Sequence, residues 1–376
     1  MNFLYIIEKL DRKYGTWLFY TALFLFLVSF SWFWNSHIPT PIIQLRILLV
    51  YLYQVIFLVR IGLLCWKYPR YVFLCAAIIT ILYLSSHLSK SSMILNTALV
   101  IAASRDVNMK TTLRIYLIIF LILLLVTPFT CSMGWTGDII KHKFGLTGHS
   151  WGFFNPNRYA FFLQMIVFLV FLCFRTRKTW VLWVGSYVAA AVIGLVTLST
   201  TSVIVLLLFP PLYYCLKQRF YPPVLFASIP LFLTLLSVGL SWYYGPSTGD
   251  TTFESRYSIP HLVYEHQGFS LFGQDCGFIT WREALKKSVE PFYINNMYLD
   301  LIIRHGVVTA LIVFVFYSHY IYRMGRMDNP QILAMTICLA LSGLMQQFPL
   351  YIALNFLLLY FFHPPHPQEL VEDAKQ

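Results

Sequence analysis

Residues 112–130 read TLRIYLIIFLILLLVTPFT. After Arg114 the run carries no charge, and it matches the ~20 apolar residues a helix needs to cross a bilayer core. The whole chain shares this character. Of its 376 residues, 59% are apolar and 11% charged, where a soluble domain carries about 25% charged residues. That balance excludes a soluble enzyme, a disordered chain and an ordinary nucleic-acid-binding domain. The net charge of +12 reads as Lys and Arg in cytoplasmic turns.

Working outward from 112–130, twelve candidate spans appear: 17–34, 42–64, 70–88, 91–104, 112–130, 158–174, 180–198, 201–216, 222–244, 296–322, 331–345 and 348–363. The chain is expected to be one all-α polytopic membrane domain over 1–376. Pro39, Pro41, Pro69, Pro222, Pro223, Pro330 and Pro349 mark many of the breaks. The cysteines show no CxxC and no zinc spacing. Cys131 and Cys276 fall in polar stretches, where a pairing is conceivable.

Orientation follows from the basic residues. With the N-terminus in the cytoplasm, sixteen of the 27 Lys and Arg fall in inner segments. Among these are Lys67, Arg70, Arg105, Lys110, Arg175, Arg177, Lys178, Lys217, Arg219, Arg323, Arg326 and Lys375. Short basic inner turns and long outer loops predict both termini inside. Arg46 and Arg60 lie near the ends of the second span and read as snorkelling side chains.

Two outer loops stand out, 131–157 and 245–295. The second exceeds the usual connection between elements. It carries cations (Arg256, Arg282, Lys286, Lys287), proton acceptors (Glu254, His261, Glu265, His266, Asp275, Glu283, Glu290) and aromatics (Tyr257, Phe269, Trp281, Phe292, Tyr293). The first adds Trp135, Asp138, His142, His149, Trp151, Phe153, Phe154 and Arg158. Arginine suits phosphate because its planar fork stays charged and donates paired hydrogen bonds. Aromatic faces suit the apolar faces of sugars. Such a set fits a phosphorylated sugar lipid, and it also fits an interfacial aromatic belt with solvated charges.

In the tenth span, Asn296, Asp300 and Arg304 recur every four residues and are expected on one helix face. An intramembrane ionisable pair is a functional candidate by default; its structural alternative is a local Asp300–Arg304 ion pair, which would make Asp300 a weaker base. Lys90, in the outer turn between spans three and four, is placed to reach an anionic head group. There is no Walker loop, GxGxxG, HExxH or DxD pair, so no cofactor or metal is expected.

Three segments resemble one family in order and spacing: GHSWGFFNPNRYAFFLQM (148–165), ESRYSIPHLVYEHQGFSLFGQDCGF (254–278) and NNMYLDLIIRHGVVT (295–309). Together with twelve spans and a large outer loop before the tenth, they resemble the bacterial O-antigen ligase and Wzy-type polysaccharide polymerase superfamily. Asn157, Arg256, Gly273, Gly277, Asn296, Gly306 and Thr309 fall on its motif positions. Two positions depart. Asn295 stands where ligases carry a His, and Val203, in LSTTSVI (198–204), stands where an Arg is expected. Both departures favour a polymerase over a ligase.

The resemblance implies a metal-independent glycosyltransferase in the bacterial cytoplasmic membrane. It would polymerise undecaprenyl-pyrophosphate-linked oligosaccharide repeats for O-antigen, capsular or other extracellular polysaccharide, beside a flippase and a chain-length regulator, with no nucleic acid. Arg256, then Arg304 and Arg158, would stabilise the leaving pyrophosphate. Asp300, Glu265, His266 and His149 are candidate bases. Asn157, Asn296, Lys90, Trp151 and Tyr257 are candidate substrate contacts. The rival readings are an O-antigen ligase-like transferase and a flippase of the same lipid-linked sugars.

Overall fold

The computed structural model describes residues 3–32, 40–143, 145–153, 155–174, 179–218, 222–245, 253–279, 292–326 and 329–362. Phe154, Arg175, Arg177, Lys178, Arg219, Trp281, Arg282, Glu283, Lys286, Lys287, Glu290 and Lys375 lie outside them.

The chain is a helical membrane protein. In order its helices are α1 (Phe3–Leu10), α2 (Thr16–Trp32), α3 (Thr40–Leu63), α4 (Pro69–Ser89), α5 (Met93–Ala103), α6 (Met109–Ser132), α7 (Pro156–Cys173), α8 (Thr179–Thr197), α9 (Thr200–Lys217), α10 (Pro223–Ala227), α11 (Ile229–Tyr244), α12 (Ser255–Gln267), α13 (Met297–Ile303), α14 (Val307–Arg326) and α15 (Pro330–Ser342). Among the described residues, nine helical stretches are long and apolar enough to cross a membrane. Helices α5 and α15 are apolar but shorter.

The local sequence explains the boundaries. Asn155 and Asn329 each precede a proline, and each side chain accepts a backbone N–H of the new helix, from Arg158 and Ile332. An Asn cap followed by Pro in the first turn is a strong helix start, because the proline's missing N–H has no partner to lose there. Asn108 caps α6 in the same way. The interior is filled by aromatic rings, such as Phe120 against Phe162 at 4.8 Å and Phe168 against Phe209 at 5.4 Å.

Three expectations fail. The tenth span is not continuous. It breaks between α13 and α14, where Gly306 takes φ +88° and a side chain there would collide with the backbone of Gly273 and Leu271. The last span, 348–363, is not an α-helix. After α15 the chain runs to Phe362 through turns and two short 3-10 helices, Phe348–Leu350 and Phe356–Phe361. The loop 131–157, expected without strands, folds into an antiparallel hairpin of β1 (Ile140–Lys143) and β2 (Leu146–His149), with Ile140 opposite His149. Cys131 and Cys276 are both free.

Irregular backbone at membrane depth is tolerated only where protein satisfies it. Here side chains do so. Thr97 donates to Leu350 O, Tyr116 to Ile352 O, Tyr320 to Leu357 O and Arg323 to Phe361 O. The unwound segment is thus a buried cord through the helices. One end of the bundle carries the hairpin and α12. The other carries Arg105, stacked over Tyr68 and Tyr71, and an ion pair from Arg60 to Asp11.

Candidate functional site

At the hairpin end, the start of the unwound cord forms a floor. Three successive carbonyls are held by one backbone amide and two side chains. Met297 N donates to Gly343 O, Asn296 Nδ2 to Leu344 O, and the Arg256 guanidinium to Met345 O. The next residue, Gln346, is 2% exposed, and both ends of its carboxamide are buried without a partner among the described residues. A buried amide left unpaired costs on the order of 1–3 kcal/mol, so this is a place where a polar ligand gains.

Arginines converge above that floor. Arg256, on the first turn of α12, is 7% exposed, and its Nε has no partner among the described residues. Arg158, on the first turn of α7, sits over the Phe348 ring at 5.1 Å. The Tyr293 phenol faces both guanidinium groups. Burial works against the Arg256 charge, and the phenols of Tyr293 and Tyr257 partly offset it. Arginine stays charged even so. No carboxylate pairs with Arg256 among the described residues.

The hairpin roofs this space with inverted polarity. Ile140 and Leu146 are exposed, at 50% and 52%, while Lys141 and Lys143 turn inward and are half-buried. Burial, Lys143 and Arg256 together push the Lys141 ammonium below the usual lysine range. Asp138 fixes the roof. It accepts from the Ser150 and Trp151 amides and the Ser150 hydroxyl, and its other oxygen lies 2.6 Å from His149 Nδ1. Burial tends to raise this carboxyl, but His149 and those donors outweigh it and hold it below the ordinary range.

Asp300 completes the arrangement. It is 5% exposed, its Oδ1 has no partner among the described residues, and its Oδ2 is 3.8 Å from His305 Nε2. Tyr351 lies within electrostatic reach of Asp300, Arg304 and Arg158. The alternative, an Asp300–Arg304 ion pair, is not made among the described residues. Arg304 ends α13 and turns away, its Nε donating to Ser89 O and its guanidinium lying 5.2 Å from the Phe278 ring. The expected shared face also fails, because Asn296 caps α13 and its side chain is spent on Tyr298 N, Leu299 N, Ser237 and Leu344 O.

The site thus gathers Arg256, Arg158 and Asp300. Glu265 and His266 are exposed; Glu265 lies nine residues beyond Arg256, on the opposite side of α12, where it pairs with His261 at 3.1 Å. Tyr257 is a packing residue between Tyr244 and Phe253. Lys90 pairs with Asp275 and tethers the loop. Asn157 is half-buried on the first turn of α7, whose cap is Asn155. Trp151 is 40% exposed beside His149. Lys141, Gln346 and His305 are the residues sequence reading missed. The alternation Ile140-Lys141-His142-Lys143 was the available signal for the first.

No group of three or more His, Cys, Asp or Glu placed to hold a metal occurs among the described residues. Comparison with protein-family models, with characterised proteins and with solved structures finds no match to the chain.

Proposed function

We propose that this chain is a polysaccharide polymerase of the bacterial cytoplasmic membrane. It crosses the membrane twelve times, counting α5, α15 and the unwound cord, with both termini in the cytoplasm and the hairpin end outward. Its substrates are undecaprenyl-pyrophosphate-linked oligosaccharide repeats. The observation that carries the reading is the convergence of Arg256, Arg158 and Lys141 at the hairpin end, where Tyr351 links Arg158 to the buried carboxylate of Asp300.

The chemistry follows from those groups. The hydroxyl oxygen of an incoming repeat bonds to the anomeric carbon of the growing chain. The bond from that carbon to the pyrophosphate oxygen breaks, and its electron pair leaves with the pyrophosphate. Arg256 and Arg158 face the charge that grows there; one such donor is worth roughly 2.7–4 kcal/mol to the transition state. Asp300 takes the hydroxyl proton; Arg304 makes no ion pair with it among the described residues. Gln346, with a free donor and a free acceptor, suits a sugar hydroxyl.

The test is the length of surface glycan in a strain lacking this chain, complemented with wild type or with Arg256→Ala. Single repeats extended to polymer by wild type alone are expected. Full-length polymer retained on its lipid carrier in the deletion strain would replace this reading with a ligase. Repeats retained on the inner leaflet would replace it with a flippase.

A further inference from the structure

An apolar cavity of about 140 Å³ opens on the flank of the bundle, away from the site. Its walls come from α4 (Cys75, Ile79, Leu82), α5 (Ile94, Ala98) and α14 (Val313). Its floor is the unwound cord, at Leu350, Leu358 and Phe361. The flanking surface is strongly apolar, with Phe73, Leu74, Leu311 and Val315 all exposed. Thr97, Tyr317 and Tyr320 also line it, but a void bordered mainly by apolar side chains forfeits dispersion contacts unless something fills it, and in a bilayer the filler is hydrocarbon.

The two ends of the slot differ in charge. At the far end, Arg105 is already covered by the Tyr68, Tyr71 and Phe362 rings, and Arg323 donates to Phe361 O. Toward the hairpin end, α4 continues from Leu82 to Ser89, about 10 Å at 1.5 Å per residue. There Arg304 is held by Ser89 O through Nε alone, and its terminal nitrogens have no protein acceptor among the described residues. Arg304 shares Tyr351 with Asp300 and Arg158. A guanidinium unspent on the described protein thus lies about two turns of α4 beyond the slot, at the edge of the site.

We propose that this slot seats the hydrocarbon chain of the lipid-diphosphate substrate, with its phosphates reaching Arg304. This rests on the polymerase reading for the identity of the lipid. It gives Arg304 a task distinct from that of Arg256: Arg304 anchors the carrier, while Arg256 faces the bond that breaks.

The test uses the purified full-length protein and undecaprenyl diphosphate carrying a diazirine in its chain. Photo-adducts are expected on peptides containing Ile78–Leu82 and Ile312–Phe316. Unlabelled undecaprenyl diphosphate should compete them away, and diacyl phosphatidylglycerol should not. Ala98→Trp, which fills the slot, should lower labelling about ten-fold, in the range overpacking produces; Ile79→Trp serves if that variant does not fold. Arg304→Gln should weaken capture of the diphosphate and leave capture of undecaprenol unchanged. Equal competition by phosphatidylglycerol, labelling elsewhere, or undiminished labelling in filled variants that melt like wild type would overturn the slot. Labelling as expected with no chain extension by wild type would leave the slot standing and remove the polymerase reading.

Discussion

Arg256 and Met345 are bound to each other across the loop region: the guanidinium on α12 donates to the carbonyl that follows α15. One side chain therefore joins the outer helix to the floor of the site and still keeps its Nε unspent. Replacing Arg256 by Ala is expected to abolish polymer and also to loosen the floor by about 1–3 kcal/mol, the cost of an unsatisfied buried carbonyl. Arg256→Lys separates the two effects. It should recover most of the melting temperature but little of the polymer, because an ammonium lacks the planar fork. Melting curves with gels of glycan length check both.

Asp300→Asn preserves shape and removes the proton acceptor. Turnover with purified lipid-linked repeats should fall roughly 10²–10⁴-fold, the range for a lost general base. Affinity for the donor should stay within a few-fold, since the cations are untouched. Unchanged kcat would assign the base elsewhere.

Lys141→Ala should raise the KM for the lipid-linked donor about ten-fold or more, as a charge-assisted contact of ~1.5–3 kcal/mol would. Lys141→Glu should be worse. His142→Ala, one position along on the exposed face of the hairpin, should have no effect. A KM unchanged in Lys141→Ala would remove the hairpin from binding.

The roof should be acid-sensitive. Asp138 has a lowered folded-state pKa, so its contribution is complete above the ordinary carboxylate value, ~3.9. It is lost as pH falls through the lower folded value. The protection of the Ser150 and Trp151 amides against hydrogen exchange, relative to the intrinsic rate at each pH, should fall below that range and stay high at neutral pH. Asp138→Asn should show the lowered protection already at neutral pH. Slow exchange in that variant would show that the turn holds without the carboxylate.

Gly306→Ala should destabilise the protein by more than about 1 kcal/mol, because φ is positive there. The added Cβ would also lie 2.4 Å from Gly273 N. Thermal melting is the check, and Gly277→Ala is the comparison, since Gly277 has positive φ but open space around it.

The helices were legible because hydrophobic length is a crude and robust signal. Segments such as 180–198 and 201–216 fall within a residue or so of α8 and α9. What escaped were places where apolar sequence does not become helix. Residues 348–363 have the composition of a span, but their backbone is satisfied by Thr97, Tyr116 and Tyr320, far away in sequence. Periodicity misled at Asn296 and Arg304, because the first caps the helix and the second ends it. Arg256 and Arg158 were found through residue chemistry and motif order. Glu265 was not separable from them until α12 showed which side of the helix it occupies.

The cord from Gly343 to Phe362 has a consequence for biogenesis. A helix entering the membrane carries its own hydrogen bonds, but this segment borrows them from α5, α6 and α14. Each of those helices precedes it in the chain. It is therefore expected to settle only once they have assembled, as the step that locks the bundle. Substitutions at Thr97, Tyr116 or Tyr320 should consequently appear as failed maturation and rapid degradation, with little left for an assay of catalysis to see.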